Sequence, residues 1–240
     1  MNPISVKRNN YMDNTKDSTI LTPKPLCEWL SSLIIPELKD EAVIFDPCVG
    51  TGNLLYPFFE KKMFVTVGND IKNREPKIDI NMLGDFLEWE KIDFVPDFVI
   101  MNPPYNHDDY TRKKYGKRSL LPELFLRKIF QLWKNVPVLM FAPMGFRLNQ
   151  RCYTEAQGER YQYLSDKEIT TIITLPLDIF PNPNYRTDIP EERRNPKKGV
   201  LKSNIKRTET QQEIIVFNFP KLKPHYFVPK EILDEIRDSE

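Results

Sequence analysis

The sequence predicts an α/β fold, a doubly wound and mostly parallel sheet with helices on both faces. Two observations carry this expectation. Short apolar runs of strand length recur along the chain, bounded by charged residues or turn residues, and segments with apolar residues at helical spacing stand between them. A tight glycine turn follows the first run and leads into a helix, as a strand-to-helix crossover requires.

Taken in order, Thr22-Pro23-Lys24-Pro25 followed by Leu26, Trp29, Leu30, Leu33 and Ile34 reads as a helix with an N-cap, proline at its first position and an apolar face, stopped at Pro36. Ala42 to Phe45 reads as the first strand, and Asn53 to Lys62 as the helix after it. Met63 to Val67 is the second strand. A third, short strand precedes Leu83-Gly84-Asp85-Phe86, and Asp97 to Met101 is the fourth. Leu121 to Trp133 has helical periodicity, while Val136 to Phe141, Ile169 to Leu175 and Gln212 to Phe219 read as further strands. The stretch 181–211, where prolines alternate with Arg, Asn and Lys, reads as a long irregular loop. The chain thus divides into a polar segment 1–19, one domain over 20–219, and a tail 220–240 with a short helix from Pro229.

No apolar stretch approaches the roughly 20 residues that span a bilayer, so a membrane protein is excluded. Met1 to Asp17 is polar and lacks the apolar core of a secretory signal, which places the protein in the cytoplasm. The three cysteines, Cys27, Cys48 and Cys152, have no C-x-x-C spacing and read as reduced thiols. A net charge of +1 argues at first against a nucleic-acid partner. Divided along the chain, it is a cancellation: residues 37–110 hold 7 Lys/Arg against 15 Asp/Glu, or −8, and residues 111–160 hold 11 against 3, or +8.

In an open α/β sheet, ligands bind beyond the carboxyl ends of the strands, so the residues just after each strand are the candidates. The first strand ends in Asp46-Pro47-Cys48-Val49-Gly50-Thr51-Gly52-Asn53. This turn has the first two glycines of a dinucleotide fingerprint, but Leu55 stands at the third position and disfavours pyrophosphate. Asp70 follows the second strand, at the spacing suited to ribose hydroxyls. Asp85 and Phe86 follow the third, and Asn102-Pro103-Pro104-Tyr105 the fourth. Four of the eight glycines fall between Gly50 and Gly84, each beside an acidic strand end or turn, as a nucleoside pocket needs.

These motifs resemble the ordered motifs of class I S-adenosylmethionine-dependent methyltransferases, and Asn102-Pro-Pro-Tyr is similar to the catalytic motif of the N6-adenine DNA methyltransferases. Thr22-Pro-Lys-Pro-Leu resembles the extra N-terminal motif of the group in which cofactor motifs precede the catalytic one. The resemblance covers Ile20 to Phe141 and extends more loosely to Phe219. It implies a Rossmann-like sheet with an antiparallel last strand and S-adenosyl-L-methionine as cofactor. It also implies DNA as substrate, with the target adenine flipped out of the duplex. By the same resemblance, Asp46, Gly50 and Gly52 hold the methionine part, Thr22 helps with its carboxylate, and Asp70 takes the ribose. Asp85 takes the adenine amino group and Phe86 the adenine face, though Phe86 reads equally as a core residue. Asn102 and Pro103 would accept the substrate amino hydrogens, Pro104 would keep the turn rigid, and Tyr105 would stack on the target base.

Arg112, Lys113, Lys114, Lys117 and Arg118, with interleaved tyrosines, follow the catalytic turn and suit phosphate contacts, the alternative being a solvated loop. Arg186 to Arg207, with 8 basic and 3 acidic residues, is a weaker second candidate. His107-Asp108-Asp109 reads as a surface turn, so no metal site is expected, and Cys48 reads as packing. Little chain is left for a target-recognition domain. That leaves loose specificity, a specificity subunit or second copy as partner, or a substrate other than duplex DNA, such as RNA or a protein glutamine. A catalytically silent cofactor-binding scaffold is the reading of another class.

Overall fold

The structure, a computed structural model, describes residues 21–105, 113–115, 120–148, 155–180 and 211–238. Eight strands form one sheet: β1 (Val43–Asp46), β2 (Val65–Asp70), β3 (Ile80–Leu83), β4 (Phe98–Met101), β5 (Val138–Pro143), β6 (Ile169–Thr174), β7 (Gln212–Phe217) and β8 (His225–Phe227), in spatial order β3-β2-β1-β4-β5-β7-β6-β8. The pairs β1/β2, β2/β3, β1/β4 and β4/β5 are parallel, whereas β7 runs antiparallel to both β5 and β6. The doubly wound, mostly parallel sheet and the antiparallel strand near its end are as the sequence predicts. Beyond that strand, β8 adds a parallel edge against β6.

Six helices are described: α1 (Lys24–Ile34), α2 (Tyr56–Glu60), α3 (Leu121–Leu132), α4 (Gly145–Leu148), α5 (Glu155–Ser165) and α6 (Lys230–Asp238). Strand side chains alternate between two cores, as the period of two demands. Ile44, Phe98, Ile100, Ile214 and Val216 face α1, α2 and α6, while Phe45, Val99, Met101, Ile215 and Phe217 face α3 and α5. Every residue of β4 is buried, which is why its sequence is a continuous apolar run rather than an alternating one.

Helix α1 buries Leu26, Leu30 and Ile34, one face at a spacing of four. Its start differs from the expectation of a side-chain cap: Pro23 holds the N-cap position, no side-chain cap bond is made, and the Thr22 hydroxyl is engaged elsewhere. Helix α2 is shorter than the predicted 53–62, because the chain is still turning through residue 55, where Gly52 C=O accepts from the N–H groups of Leu55 and Tyr56. The segment after Phe219 supplies both β8 and α6, and Ile236 of α6 lies in the core shared with α1.

Chain order places the site. Winding proceeds outward from β1 through β2 to β3, then restarts on the other side with β4 and β5. The carboxyl ends of β1 and β4 are therefore neighbours at a topological switch point, where such sheets open a crevice. The crevice is held tight from below by Gly68 of β2. A Cβ there would come within 2.6 Å of Ile78 Cδ1 and 2.8 Å of Val49 Cγ2, so only glycine lets β2 pass under the turn that follows β1.

Candidate active site

One cleft at this switch point is lined by Thr22, Asp46, Gly50, Asp70, Asp85, Phe86, Asn102 and Pro104, among others. Residues spread over about 80 positions of sequence thus meet in one place, Thr22 from the motif ahead of α1 and the others from strand ends, while Gly52, Pro103 and Tyr105 are not among those that line it.

The floor is the turn after β1. Gly52 sits at φ +88°, in the left-handed region, and a Cβ on it would lie 2.9 Å from Pro76 Cβ. Gly50 N–H donates to Asp70 Oδ2 at 2.9 Å, which ties the turn to the end of β2, and Lys72 N–H donates to Asp70 Oδ1 at 2.9 Å. Asn69 makes a second tie. It is buried, and its Nδ2 donates to the carbonyls of Pro47 (3.2 Å) and Gly84 (3.0 Å), joining the turns after β1 and β3. Nothing in the sequence distinguished Asn69 from an ordinary strand residue.

Asp46 is 1% exposed and its Oδ1 accepts from Cys48 N–H at 2.9 Å. Burial pushes its carboxyl up from 3.8 to about 7, against the help of the Cys48 hydrogen bonds and with a further push from the nearby Asp70 charge. Burial also raises the Cys48 thiol well above its ordinary value, and the side chain packs against the core that holds Phe45.

At the far end, Asp85 Oδ1 caps the short 3-10 turn Phe86–Glu88 by accepting from Leu87 N–H at 3.1 Å. Its Oδ2 accepts from Tyr115 Oη at 2.9 Å and pairs with Lys114 Nζ at 3.2 Å, while Lys114 also pairs with Glu88. Burial raises Tyr115 to about 12, so its hydroxyl stays a donor. Phe86 is 1% exposed and packs on Phe45 and, stacked at 5.6 Å, on Phe125. Its ring is mainly core and reaches the cleft only at its lining.

The turn after β4 closes the other side. Asn102 Nδ2 donates to Thr22 Oγ1 at 3.1 Å, and Tyr105 Oη donates to Gln212 Oε1 at 2.7 Å. Pro103 is buried between them. Gln212, the first residue of β7, is an acceptor that sequence reasoning missed, because its partner lies 107 positions away. Next to it, Glu213 is buried and takes both Arg147 Nε (3.2 Å) and Nη2 (2.9 Å).

Of the basic residues expected to meet phosphate, Lys113 is exposed and Lys114 turns toward Asp85 and Glu88. Arg112, Lys117 and Arg118 lie outside the described residues, as do His107, Asp108, Asp109 and the segment Arg186 to Arg207. No helix among the described residues is long and apolar enough to cross a membrane.

No family model and no curated protein matches the chain by sequence. Solved structures do match it by shape. It is similar to the methyltransferase subunit of a type I restriction-modification system from Streptococcus thermophilus, with a TM-score of 0.57 and 17% identity over 94% of this chain and 54% of the other. A modification subunit of a putative type I restriction enzyme from Vibrio vulnificus gives a TM-score of 0.57 and 14% identity over 98% and 55%. A putative RNA methyltransferase from Pyrococcus horikoshii gives 0.53 and 16% over 89% and 95%. The fold is Rossmann-like, the α/β fold of these structures. At these identities the likeness is one of fold, and the chain spans about half the length of the first two structures.

Proposed function

We propose that the protein transfers a methyl group from S-adenosyl-L-methionine to the exocyclic N6 amino group of adenine in DNA. The observation that carries this reading is the meeting, in one cleft, of Asn102 and Pro104 with Gly50 of the glycine turn and the buried Asp46. The residues present fit the cofactor. Asp46, Asp70 and Asp85 make a row of carboxylates for a ligand that carries a cationic amino group, ribose hydroxyls and an adenine amino group. A buried carboxyl whose ionisation is suppressed gains most from a cationic ligand.

When bound, the cofactor supplies an electrophilic methyl group on a positively charged sulfur. The chain's own residues then have to hold and polarise the acceptor. An adenine amino nitrogen is a poor nucleophile, since its lone pair is delocalised into the ring. Asn102 Oδ1 and the Pro103 carbonyl accept its two hydrogens and stabilise the positive charge that develops on nitrogen as it attacks. Pro103 and Pro104 fix φ and so keep that carbonyl aimed. Tyr105, its hydroxyl held by Gln212, stacks on the flipped base, worth about 1–3 kcal/mol. Holding both reactants in line supplies much of the acceleration. The methylated nitrogen then loses one proton to solvent.

A DNA substrate is supported by the basic stretch after the catalytic turn, and a partner subunit in a restriction-modification setting by the first two similar structures, which are themselves subunits of type I restriction systems. The test offers purified protein with labelled cofactor to unmethylated DNA, to RNA and to release factor. Label recovered as N6-methyladenine in DNA is the expected result. Label only in RNA or protein overturns the substrate, cofactor binding with label in none of the three favours a silent scaffold, and absence of cofactor binding overturns the whole reading.

Neutralising Arg112, Lys113, Lys114, Lys117 and Arg118 together is expected to lower the slope of log affinity for duplex DNA against log salt by about 3 to 4. The shortfall from five charges reflects Lys114, which is already paired with Asp85 and Glu88. Filter binding at several salt concentrations reads this directly, and an unchanged slope takes the stretch out of the interface.

A further inference from the structure

We propose that Thr22 is a positioning residue that sets which way round the Asn102 amide sits. This rests on the proposed transfer to an amino group, and it gives Thr22 a different task from the carboxylate contact that the sequence resemblance implies.

A side-chain amide can rotate by half a turn and exchange its oxygen for its NH2. For an amino acceptor the two ends are not equivalent. With Oδ1 toward the substrate, the amino hydrogens find an acceptor; with Nδ2 toward it, donors face donors. The structure shows Nδ2 turned away from that task and donating to Thr22 Oγ1 at 3.1 Å, which leaves Oδ1 as the end to meet the substrate. A hydroxyl accepts such a bond, whereas an apolar side chain in its place would leave that half-buried amide NH2 without the partner it has here.

Thr22 is built to hold still. It is 4% exposed, it is β-branched, and the Pro23 that follows confines its backbone to extended conformations. Its carbonyl is held as well, accepting from Asn53 Nδ2 at 2.9 Å and from Cys27 Sγ at 3.7 Å. Asn53 belongs to the turn that frames the cofactor end of the cleft. Thr22 is thus bonded on one side to the cofactor turn and on the other to the catalytic turn, 31 and 80 positions away.

The test compares Thr22→Val, Thr22→Ala and Thr22→Ser with the wild type. Two measurements on the free protein come first: thermal melting, and hydrogen exchange of the Asn102 side-chain NH2 by nitrogen-15 NMR, assigned through its absence in Asn102→Ala. In folded Val or Ala variants exchange should quicken about tenfold or more, and in Ser it should stay near the wild-type rate. Should Val fail to fold, Ala carries the comparison, since it removes the same hydroxyl without adding bulk. At saturating cofactor and DNA, kcat should fall about 10- to 100-fold in Val and Ala and recover to within about threefold in Ser, with cofactor Kd changed less than about threefold. Unchanged exchange in folded Val and Ala overturns the proposal. So does a cofactor Kd raised tenfold with kcat intact, which would return Thr22 to the methionine carboxylate. Because the exchange measurement needs no substrate, a wild type inactive on adenine would count against the proposed function and leave this result readable.

Discussion

Asn102→Ala is expected to lower methyl transfer to adenine by about 100- to 1000-fold, or roughly 3–4 kcal/mol of barrier, while leaving cofactor affinity within about threefold of wild type. The asymmetry follows from where Asn102 sits. It lies at the end of β4, across the cleft from the carboxylates Asp70 and Asp85, and its polar contact is Thr22. Removing the amide takes away an acceptor for charge that exists only as the new N–C bond forms, so kcat should carry the loss and KM for cofactor should not. The truncation is also tolerable to the fold, since Asn102 is only half-buried and β4 is anchored by Phe98 to Met101, all fully buried. Single-turnover transfer of labelled methyl, alongside calorimetric titration of cofactor, separates the two effects. Equal losses in both would move Asn102 out of the catalytic step.

Asp46→Asn is expected to act in opposite directions on stability and on binding. The rise of its carboxyl from 3.8 to about 7 means that burial strains the charged form, by about 4 kcal/mol at full value. A folded-state value above the unfolded one makes the native state bind more protons between about pH 4 and 7. This group's contribution to stability is therefore present at low pH and is lost as pH rises through 7. Asparagine keeps an oxygen for Cys48 N–H and removes the charge, so the free variant should be more stable at pH 8 by about 1–3 kcal/mol. Cofactor binding moves the other way. A cationic ligand favours the carboxylate, so wild-type affinity should rise with pH up to about 7 and level off above it. In the variant it should be about 10- to 100-fold weaker at pH 8 and nearly flat with pH. Thermal melts with and without cofactor at pH 5.5 and 8 read both trends, and a variant that is both less stable and equally tight would sink the assignment.

Much of the sheet was legible because its central strands are buried on both faces and so write themselves as unbroken apolar runs, as Phe98 to Met101 does. What stayed hidden has the opposite character. Strand β8 is three residues long and partly exposed at an edge, with too little pattern to separate it from loop. Helix α5, with sequence Glu155 to Ser165, carries no clear apolar face, so nothing marked it as helical. The early end of α1 misled because Thr22 is a good capping residue by type, while its hydroxyl is claimed by Asn102 from 80 positions away.

The cleft divides in the same way. Asp46, Asp70, Asp85 and Asn102 each stand at or just past a strand end, a place that topology alone turns into a binding site. Gln212, Asn69 and the pairing of Lys114 with Asp85 depend on contacts between distant turns, which no local pattern encodes. Phe86 shows the intermediate case: its place after a strand was visible, but its enclosure by Phe45, Trp89 and Phe125 was not.

The contact of Lys114 and Tyr115 with Asp85 also changes how the two opposed charge regions should be counted. Their formal charges are not independent reservoirs, because one lysine of the basic region already neutralises carboxylates of the acidic one. Any ligand that claims the Asp85 carboxylate competes with that lysine, and any polyanion that claims the lysine competes with Asp85. Two events at opposite ends of the molecule's charge distribution thus share a group, and reciprocity obliges each to help the other by the same factor.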